Sequence, residues 1–185
     1  CIVVNETKIF AMGADYIPED QIISRCSPSK TRHLLEQCVK ANFNHIRVWG
    51  GGCYPEDYFF DICDELGLLV WQDFMFACAV YRMSEDFTNN IRQEIIENVK
   101  RIRNHASLAL WCGNNEMETA WDSWEIPQDQ DLKEDYLFQF EELIPEICRQ
   151  YDPDTFYWPS SPSCGGNFED PNSYCLLYTS DAADE

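Results

Sequence analysis

The feature that most constrains the fold of this chain is a regular alternation between short apolar segments and longer amphipathic ones. Continuous apolar runs are typical of strands buried on both faces, which occur in parallel sheets covered by helices. Five such segments occur in the 185-residue chain, namely KIFAMGADYIP, HIRVWGGG, LLVWQDF, SLALWCGNNE and TFYWPSSP. The alternation therefore predicts an α/β fold with five parallel strands and helices on the faces of the sheet.

The amphipathic segments between these strands have the start and stop signals of helices. The first, SPSKTRHLLEQCVKAN, has Ser27 as its N-cap and Pro28 at its first position. The second, PEDYFFDICDELG, ends at Gly67. The third, SEDFTNNIRQEIIENVKRIRNH, has an apolar stripe made of Phe87, Ile91, Ile95, Val99 and Ile102. The fourth, residues 129–151, is predicted to be interrupted at Pro145.

The number of strands bears on which parallel fold this is. A complete (β/α)8 barrel needs about 250 residues, whereas the five predicted strands end before Tyr174. We therefore predict a partial (β/α)8 TIM barrel with about five of its eight strands. The alternative is a doubly wound open sheet, which this length would complete. Polar residues at the strand ends, described below, favour the barrel.

Both ends of the sequence differ from those of a complete domain. The chain begins at Cys1 in the middle of an apolar pattern, so we expect an internal piece of a longer protein. The last segment, Cys175–Glu185, resembles a translated sequencing adapter and is excluded from fold reasoning. The predicted organisation is one truncated barrel domain over residues 1–174, followed by a foreign tail over residues 175–185.

The charge of the chain bears on its partners. Lys and Arg number 13 against 33 Asp and Glu, so the formal net charge is -20 at pH 7. Such a chain repels both the phosphates of nucleic acid and an anionic membrane surface. The sequence also contains no run of about 18 apolar residues that could span a bilayer. We therefore expect neither nucleic acid nor membrane as a partner, whereas neutral sugars are compatible with an acidic surface.

The cysteines and histidines bear on the compartment and on metal binding. The ten cysteines include no C-x-x-C pair, which favours free thiols in a reducing compartment over disulfides or a zinc site. His33, His45 and His105 are scattered without ligand-like spacing, so no metal site and no cofactor are predicted. We expect a bacterial cytoplasmic location, with a lysosomal or secreted location as the alternative.

Polar and aromatic residues gather where three of the predicted strands end. Arg47 and Trp49 lie at the end of the second strand, Asp73 ends the third, and Asn115 and Glu116 end the fourth. In barrel enzymes the carboxyl ends of the strands form the rim that carries the active site. Each residue alone has an ordinary alternative: a core aromatic for Trp49, a cap for Asp73 and a solvated loop carboxylate for Glu116. Together they predict a functional rim.

Three motifs add a family resemblance to this pattern. The segments RVWGGG, WQDFMFACAVY and WCGNNE occur together, in this order and at the spacing of barrel strands. In these motifs the chain closely resembles the catalytic barrel of the β-mannosidases of glycoside hydrolase family 2. The resemblance covers residues 5–172. It implies a retaining exo-glycosidase that removes β-linked mannose from the non-reducing ends of oligosaccharides.

The resemblance also implies roles for the rim residues. Glu116 matches the general acid/base, and Asn115 matches the asparagine that contacts the 2-hydroxyl of the sugar. Trp49 matches a tryptophan that lines the mannose pocket. Trp124 matches a second tryptophan of the mannose pocket. Arg47 and Asp73 match supporting residues. The expected partner is therefore a β-mannoside oligosaccharide.

The resemblance leaves part of the active site unassigned. It implies a nucleophilic glutamate at the end of a seventh strand, beyond Tyr174, so the chain by itself is expected to be inactive. Two alternatives stay open. One is another exo-glycosidase of the same family, either a β-galactosidase or an exo-β-glucosaminidase. The second is a non-catalytic carbohydrate-binding protein that keeps the tryptophan rim.

Overall fold

The structure, a computed structural model, describes residues 2–127 and 129–163. The strands of this part are β1 (Ile2–Val4), β2 (Thr7–Ile9), β3 (Gly13–Tyr16), β4 (His45–Val48), β5 (Leu69–Asp73), β6 (Leu108–Cys112) and β7 (Phe156–Trp158). Its α-helices are α1 (Pro28–Lys40), α2 (Asp57–Leu66), α3 (Glu85–Ile102), α4 (Met117–Ser123), α5 (Gln130–Leu137) and α6 (Ile144–Tyr151). The predicted foreign tail, Cys175–Glu185, lies outside the described residues.

Strands β3 to β7 form a parallel sheet whose spatial order is the order of the chain. Every neighbouring pair in this sheet is parallel. Helices lie between successive strands of the sheet. A doubly wound sheet reverses its strand order at a switch point, whereas the wall of a (β/α)8 barrel does not. The predicted partial barrel is therefore confirmed over the doubly wound alternative.

The predicted helix signals are present at the ends of α1 and α2. The Ser27 side chain accepts a hydrogen bond from the Lys30 backbone N–H, and Pro28 occupies the first turn of α1. Gly67 follows α2 in the left-handed conformation, with φ 71°. Glycine has no side chain and adopts this conformation at little cost, which explains why α2 ends at Gly67.

The two faces of the parallel sheet carry different residues. Ile46, Val48 and Val70 belong to the main core, which the apolar faces of the helices cover. The intervening residues Arg47 and Trp71 point to the opposite face, because side chains alternate along a strand. Polar residues can therefore share one face of β4 and β5 while the other face remains apolar.

Two parts of the chain differ from the prediction. The first apolar segment holds two strands, because Thr7–Ile9 pairs antiparallel with Ile2–Val4 before the barrel strand begins at Gly13. The predicted break at Pro145 takes the form of a π-helical segment, Phe138–Leu143, between α5 and α6. Proline has no N–H to donate to the preceding turn, and the wider turn accommodates that loss without ending the helical path.

None of the helices in the part of the chain that the structure describes combines the length and the apolar character needed to cross a membrane.

Candidate active site

The centre of the rim is a buried ion pair between β4 and β5. Arg47 Nη2 lies 2.9 Å from Asp73 Oδ2, and the side chains are 3% and 0% exposed. The Gly50 backbone N–H and the Trp71 indole N–H also donate to the Asp73 carboxylate, at 2.9 and 2.8 Å. Burial raises the pKa of Asp73, and the Arg47 charge together with these donors opposes that shift. The Asp73 carboxylate is therefore held by Arg47 and by two further hydrogen-bond donors.

Arg47 also determines the orientation of the Asn115 side chain. Arg47 Nη2 donates to Asn115 Oδ1 at 2.7 Å. Since a guanidinium only donates hydrogen bonds, the atom of the amide that faces it is the oxygen. The amide nitrogen consequently points away from Arg47, toward Cys78 Sγ at 3.5 Å. Asn115 thus presents a hydrogen-bond donor to its surroundings.

The backbone of Asn115 is held on both sides after β6 has ended. It forms isolated parallel bridges with Ala77 and with Ser161. The Asn115 N–H donates to the Phe76 carbonyl at 3.0 Å, and its carbonyl accepts from the Cys78 N–H at 3.1 Å. Sheet-like pairing therefore continues beyond the last residue of β6 and fixes the position of the amide at the rim.

Glu116 follows in a strained conformation at the start of α4. Its φ is 61°, in the left-handed region that is costly for a residue with a side chain. Its N–H donates to the Ser161 carbonyl at 2.8 Å, and its side chain is half-buried. The strand that was expected to carry Glu116 ends four residues earlier, at Cys112. A strained residue held by neighbouring backbone is typical of a functional position.

The adjacent asparagine, Asn114, has a different role from Asn115. Its Oδ1 accepts from the Met117 N–H at 3.1 Å and from the Ser160 hydroxyl at 2.6 Å. Its Nδ2 donates to the Pro159 carbonyl at 3.0 Å and to the Tyr136 hydroxyl at 3.4 Å. Asn114 therefore ties the start of α4 to the segment after β7.

Glu118 is the second carboxylate in this part of the chain, and it faces inward. Its side chain is 0% exposed, and Oε1 accepts from the Tyr136 hydroxyl at 2.8 Å and from the Ser163 hydroxyl at 2.9 Å. Burial and the nearby Glu118 raise the pKa of Tyr136, which keeps this phenol protonated as a donor. From its buried position, Glu118 therefore stabilises the start of α4 through Tyr136 and Ser163.

The structure brings Arg47, Asp73 and Asn115 into direct contact, whereas the contacts described for the two predicted pocket tryptophans are with other residues. The Trp49 ring lies against Gly51, where any side chain would overlap it, and lines a neighbouring cleft with Pro18 and Cys53. Trp124 follows α4 directly and is 41% exposed. That both line a sugar pocket stays a prediction.

Trp111 is a further tryptophan close to Glu116 in sequence, yet it lies on the other face of the sheet. Its ring stacks on Phe74 with 5.2 Å between the ring centroids. Its indole N–H donates to Asp152 Oδ2 at 2.7 Å. Trp111 therefore belongs to the main core and not to the rim.

Cys78 is a rim residue that the sequence did not indicate. Its exposed side chain lies between two predicted site residues, with Sγ 3.4 Å from Glu116 Oε2 and 3.5 Å from Asn115 Nδ2. Its φ of 52° is also in the left-handed region. It lies within the WQDFMFACAVY motif, but nothing in that motif singled out the cysteine, because the loop after β5 has no periodic pattern.

Among the residues that the structure describes, one group with metal-ligand atoms lies away from the rim. The group consists of Asp61, Asp64 and His105. Asp64 already accepts from the Ser107 N–H at 2.7 Å and contacts His105 Nδ1 at 2.8 Å. Ser107 directly precedes β6, so this group is at the amino ends of the strands, opposite the rim. It has no part in the candidate active site.

A parallel barrel wall with a half-buried glutamate, an oriented amide and a buried ion pair at its carboxyl rim defines the class of fold: this is part of a (β/α)8 barrel with a polar site at that rim. No protein-family model matches the chain. The chain is 38% identical over 184 residues to the β-mannosidase of Bos taurus, covering 95% of this chain and 21% of the relative. It is 41% identical over 169 residues to β-mannosidase B of Aspergillus fumigatus, covering 86% and 20%.

A comparison with solved structures also finds a similarity to a β-mannosidase. The crystal structure of the β-D-mannosidase from Dictyoglomus thermophilum matches with a TM-score of 0.85 and 41% identity, covering 92% of this chain and 20% of that one. A β-glucuronidase of Bacteroides uniformis matches with a TM-score of 0.68 at 22% identity over 83% of this chain, a likeness of fold alone. The resemblance to the β-mannosidases is confirmed. The chain spans about a fifth of the length of the curated relatives it matches.

Proposed function

We propose that the complete protein is a retaining exo-β-mannosidase that hydrolyses terminal, non-reducing β-D-mannose residues of oligosaccharides. The observation that carries this proposal is the placement of Glu116 beside an amide that Arg47 orients toward the rim. The similarity to β-mannosidases over most of the chain supports the choice of sugar.

We assign Glu116 the role of general acid and base. Its oxygen Oε2 accepts from the Cys78 thiol, and we assign Oε1 to the glycosidic oxygen of the substrate. In the first step the carboxyl group gives its proton to the leaving oxygen. In the second step the carboxylate takes a proton from the attacking water. A residue held by backbone on a rigid rim keeps this proton transfer in position.

We assign Asn115 to the 2-hydroxyl of the mannose. Because Oδ1 accepts from Arg47, the group available to the sugar is the Nδ2 amide, which donates. A hydrogen bond to the 2-hydroxyl strengthens as the oxocarbenium-like transition state forms. In mannose this hydroxyl is axial, so the position of its donor bears on which sugar is accepted.

The retaining mechanism also requires a second carboxylate about 5–5.5 Å from the first, which attacks the anomeric carbon. The family resemblance assigns it to a later barrel strand. Glu118 does not fit this role, because it is fully buried and accepts from Tyr136 and Ser163. The chemistry assigned here to this chain is therefore the acid/base half of the reaction.

The proposal is tested by expressing the complete reading frame that contains this chain. We expect kcat/KM for an aryl β-mannoside to be far higher than for the corresponding β-galactoside or β-glucosaminide. Comparable values for the three substrates would contradict the sugar assignment. Sugar binding without turnover of any of them would support the non-catalytic alternative.

We further propose a reducing compartment, as in the bacterial cytoplasm. The cysteines between residues 2 and 163 are free thiols, which supports this location over a disulfide-forming one. Blocking thiols in a freshly prepared lysate and counting the modified cysteines by mass spectrometry tests it. Disulfide-linked peptides from this chain would contradict it.

A further inference from the structure

We propose that Cys78 is a positioning residue that links the acid/base Glu116 to the sugar-binding amide of Asn115. The inference rests on the proposed function and adds to it a residue whose thiol holds the two working groups in a common geometry. Cys78 contacts the acid/base group rather than the reacting atoms.

The contacts of the Cys78 sulfur use both of its hydrogen-bonding capacities. The S–H donates to Glu116 Oε2, with 3.4 Å between sulfur and oxygen. The sulfur accepts from Asn115 Nδ2, with 3.5 Å between nitrogen and sulfur. A thiol is a weak donor and a weak acceptor, so it aligns its two partners without binding either of them tightly. One N–H of the Asn115 amide remains for the sugar.

The backbone conformation at this contact supports the assignment. Cys78 and Glu116 both have positive φ, 52° and 61°, and they meet across the thiol contact. Residues with side chains occupy this region at a cost and persist there only when the surrounding structure imposes it. At Cys78 the hydrogen bond from its N–H to the Asn115 carbonyl, 3.1 Å long, contributes to that constraint.

The loop that carries Cys78 is also held from its far end. Arg82 forms an ion pair with Asp129, which directly precedes α5. Its Nη1 also lies 3.7 Å from Oδ2 of Asp135 within α5. Between these anchors the loop brings Cys78 over the end of β6. The thiol therefore has a defined position relative to Glu116 before any substrate binds.

The thiol completes a continuous hydrogen-bond chain across the rim. The chain consists of Asp73, Arg47, Asn115, Cys78 and Glu116. The sugar contact at Asn115 and the proton donor at Glu116 are therefore coupled through one sulfur atom. When a sugar binds the Asn115 amide, the Glu116 carboxyl group is therefore already positioned on the same side of the site.

Burial and the neighbouring Glu116 keep the Cys78 thiol protonated. Arg47 of β4 is paired with Asp73 of β5 and lies 3.8 Å from Asp15 of β3, while Glu118 of α4 is turned toward Tyr136. Burial and the hydrogen bond to Glu116 raise the pKa of the Cys78 thiol, with smaller opposing effects from the Asn115 amide and from Arg47. Near neutral pH the thiol therefore remains a donor.

The test compares Cys78→Ala with Cys78→Ser in the complete protein. Alanine removes both contacts, whereas serine keeps a donor and an acceptor. For β-mannosides with poor leaving groups we expect Cys78→Ala to lower kcat/KM about tenfold, within the cost of up to 10²-fold that misplacement of about 1 Å can cause. Cys78→Ser should recover most of this loss. Cys38→Ala, a half-buried cysteine in α1, serves as the matched control and should leave kcat/KM unchanged.

The dependence on the leaving group distinguishes positioning of the acid from a general loss of structure. An activated aryl leaving group needs little protonation, so a displaced general acid slows it far less than it slows a poor leaving group. We expect Cys78→Ala to lower kcat/KM clearly less for an activated aryl β-mannoside than for a β-mannoside with a poor leaving group, and Cys78→Ser to remain close to the unsubstituted protein on both. An equal loss on both substrates, or unchanged kcat/KM on both, in Cys78→Ala would overturn the inference.

A second measurement avoids substitution altogether. Methyl methanethiosulfonate converts the exposed S–H of Cys78 into S–SCH3 and releases methanesulfinate. We expect reversible loss of activity in the unsubstituted protein and none in Cys78→Ser, and equal loss in both would overturn the inference. If the unsubstituted protein does not hydrolyse aryl β-mannosides at all, the proposed function fails. If it does hydrolyse them and Cys78→Ala behaves identically, only the role of Cys78 fails.

Discussion

Arg47 and Asp73 form a buried ion pair at the carboxyl ends of neighbouring strands, with 2.9 Å between Nη2 and Oδ2. Both side chains lie on the face of the sheet that carries Trp71, whose indole N–H donates to the same carboxylate. The Arg47 guanidinium in turn holds the oxygen of the Asn115 amide. One ion pair thus underlies both the stability of the rim and the orientation of its polar groups.

The first prediction concerns the stability of this pair. Asp73→Asn removes the buried partner of Arg47 and leaves only the exposed Asp15, at 3.8 Å, so we expect it to lower the free energy of unfolding by about 3–5 kcal/mol. The control is Arg32→Ala, which breaks the exposed pair with Glu65 and should cost no more than about 1 kcal/mol. Hydrogen exchange of the β4 and β5 peptides in the complete protein measures both. Equal losses in the two variants would contradict the prediction.

The second prediction concerns the pH dependence of stability. Burial and the Arg47 charge lower the pKa of His45 from 6.5 to about 4. Between these values the unfolded chain binds a proton that the folded chain excludes. The stability contribution is therefore complete above about pH 6.5 and is lost as the pH falls toward 4.

Replacing His45 by Gln should remove that loss. We expect the free energy of unfolding of His45→Gln to depend less on pH between pH 7 and pH 4.5 than that of the unsubstituted protein. His33→Gln is the control, because His33 is exposed in α1 and should leave the slope unchanged. Superimposable slopes for His45→Gln and the unsubstituted protein would refute the account of His45.

The third prediction concerns the Asn115 amide. Asn115→Asp keeps the pairing with Arg47 but removes the donor that we assign to the 2-hydroxyl. We expect kcat/KM for an aryl β-mannoside to fall about 10²–10³-fold, as for other preorganised donors to a transition state. The 2-deoxy analogue of the substrate should be affected far less. An equal fall on both substrates would show that Asn115 does not bind the 2-hydroxyl.

Much of the fold and part of the site could be predicted from the sequence, because they rest on repeated local patterns. Helices α1, α2 and α3 lie within the predicted segments, and Ser27 and Gly67 cap α1 and α2 as expected. The carboxyl ends of parallel strands share one rim, so Arg47, Asp73 and Asn115 could be predicted to converge from the positions of the strands alone.

The remaining features depend on tertiary contacts that have no local pattern. Helix α4 has seven residues, too few to show a helical period. The left-handed conformation of Glu116 accompanies a hydrogen bond to the Ser161 carbonyl, 45 residues further along the chain, and Cys78 reaches the site through an irregular loop. Trp111 is close to Glu116 in the sequence, yet alternation along β6 puts its side chain on the opposite face of the sheet from Leu110.

The fourth prediction concerns the support of the loop that carries Glu116. Tyr136→Phe removes the hydroxyl that donates to the buried Glu118 carboxylate and accepts from Asn114 Nδ2. We expect a loss of about 1.5–3 kcal/mol, the range for a hydrogen bond to a charged group, seen as faster hydrogen exchange in α4. Tyr157→Phe breaks a bond to the neutral Phe140 carbonyl and should cost less. A larger cost for Tyr157→Phe would reverse this ranking and contradict it.

The most direct test of the account is the response of Glu116→Gln to the leaving group. A poor leaving group needs a proton from the general acid, whereas an activated aryl group does not. Pre-steady-state kinetics of the complete protein should show the first step about 10²–10⁴-fold slower for a β-mannoside with a poor leaving group, and nearly unchanged for an activated aryl β-mannoside. An equal loss on both substrates would remove Glu116 from the acid/base role.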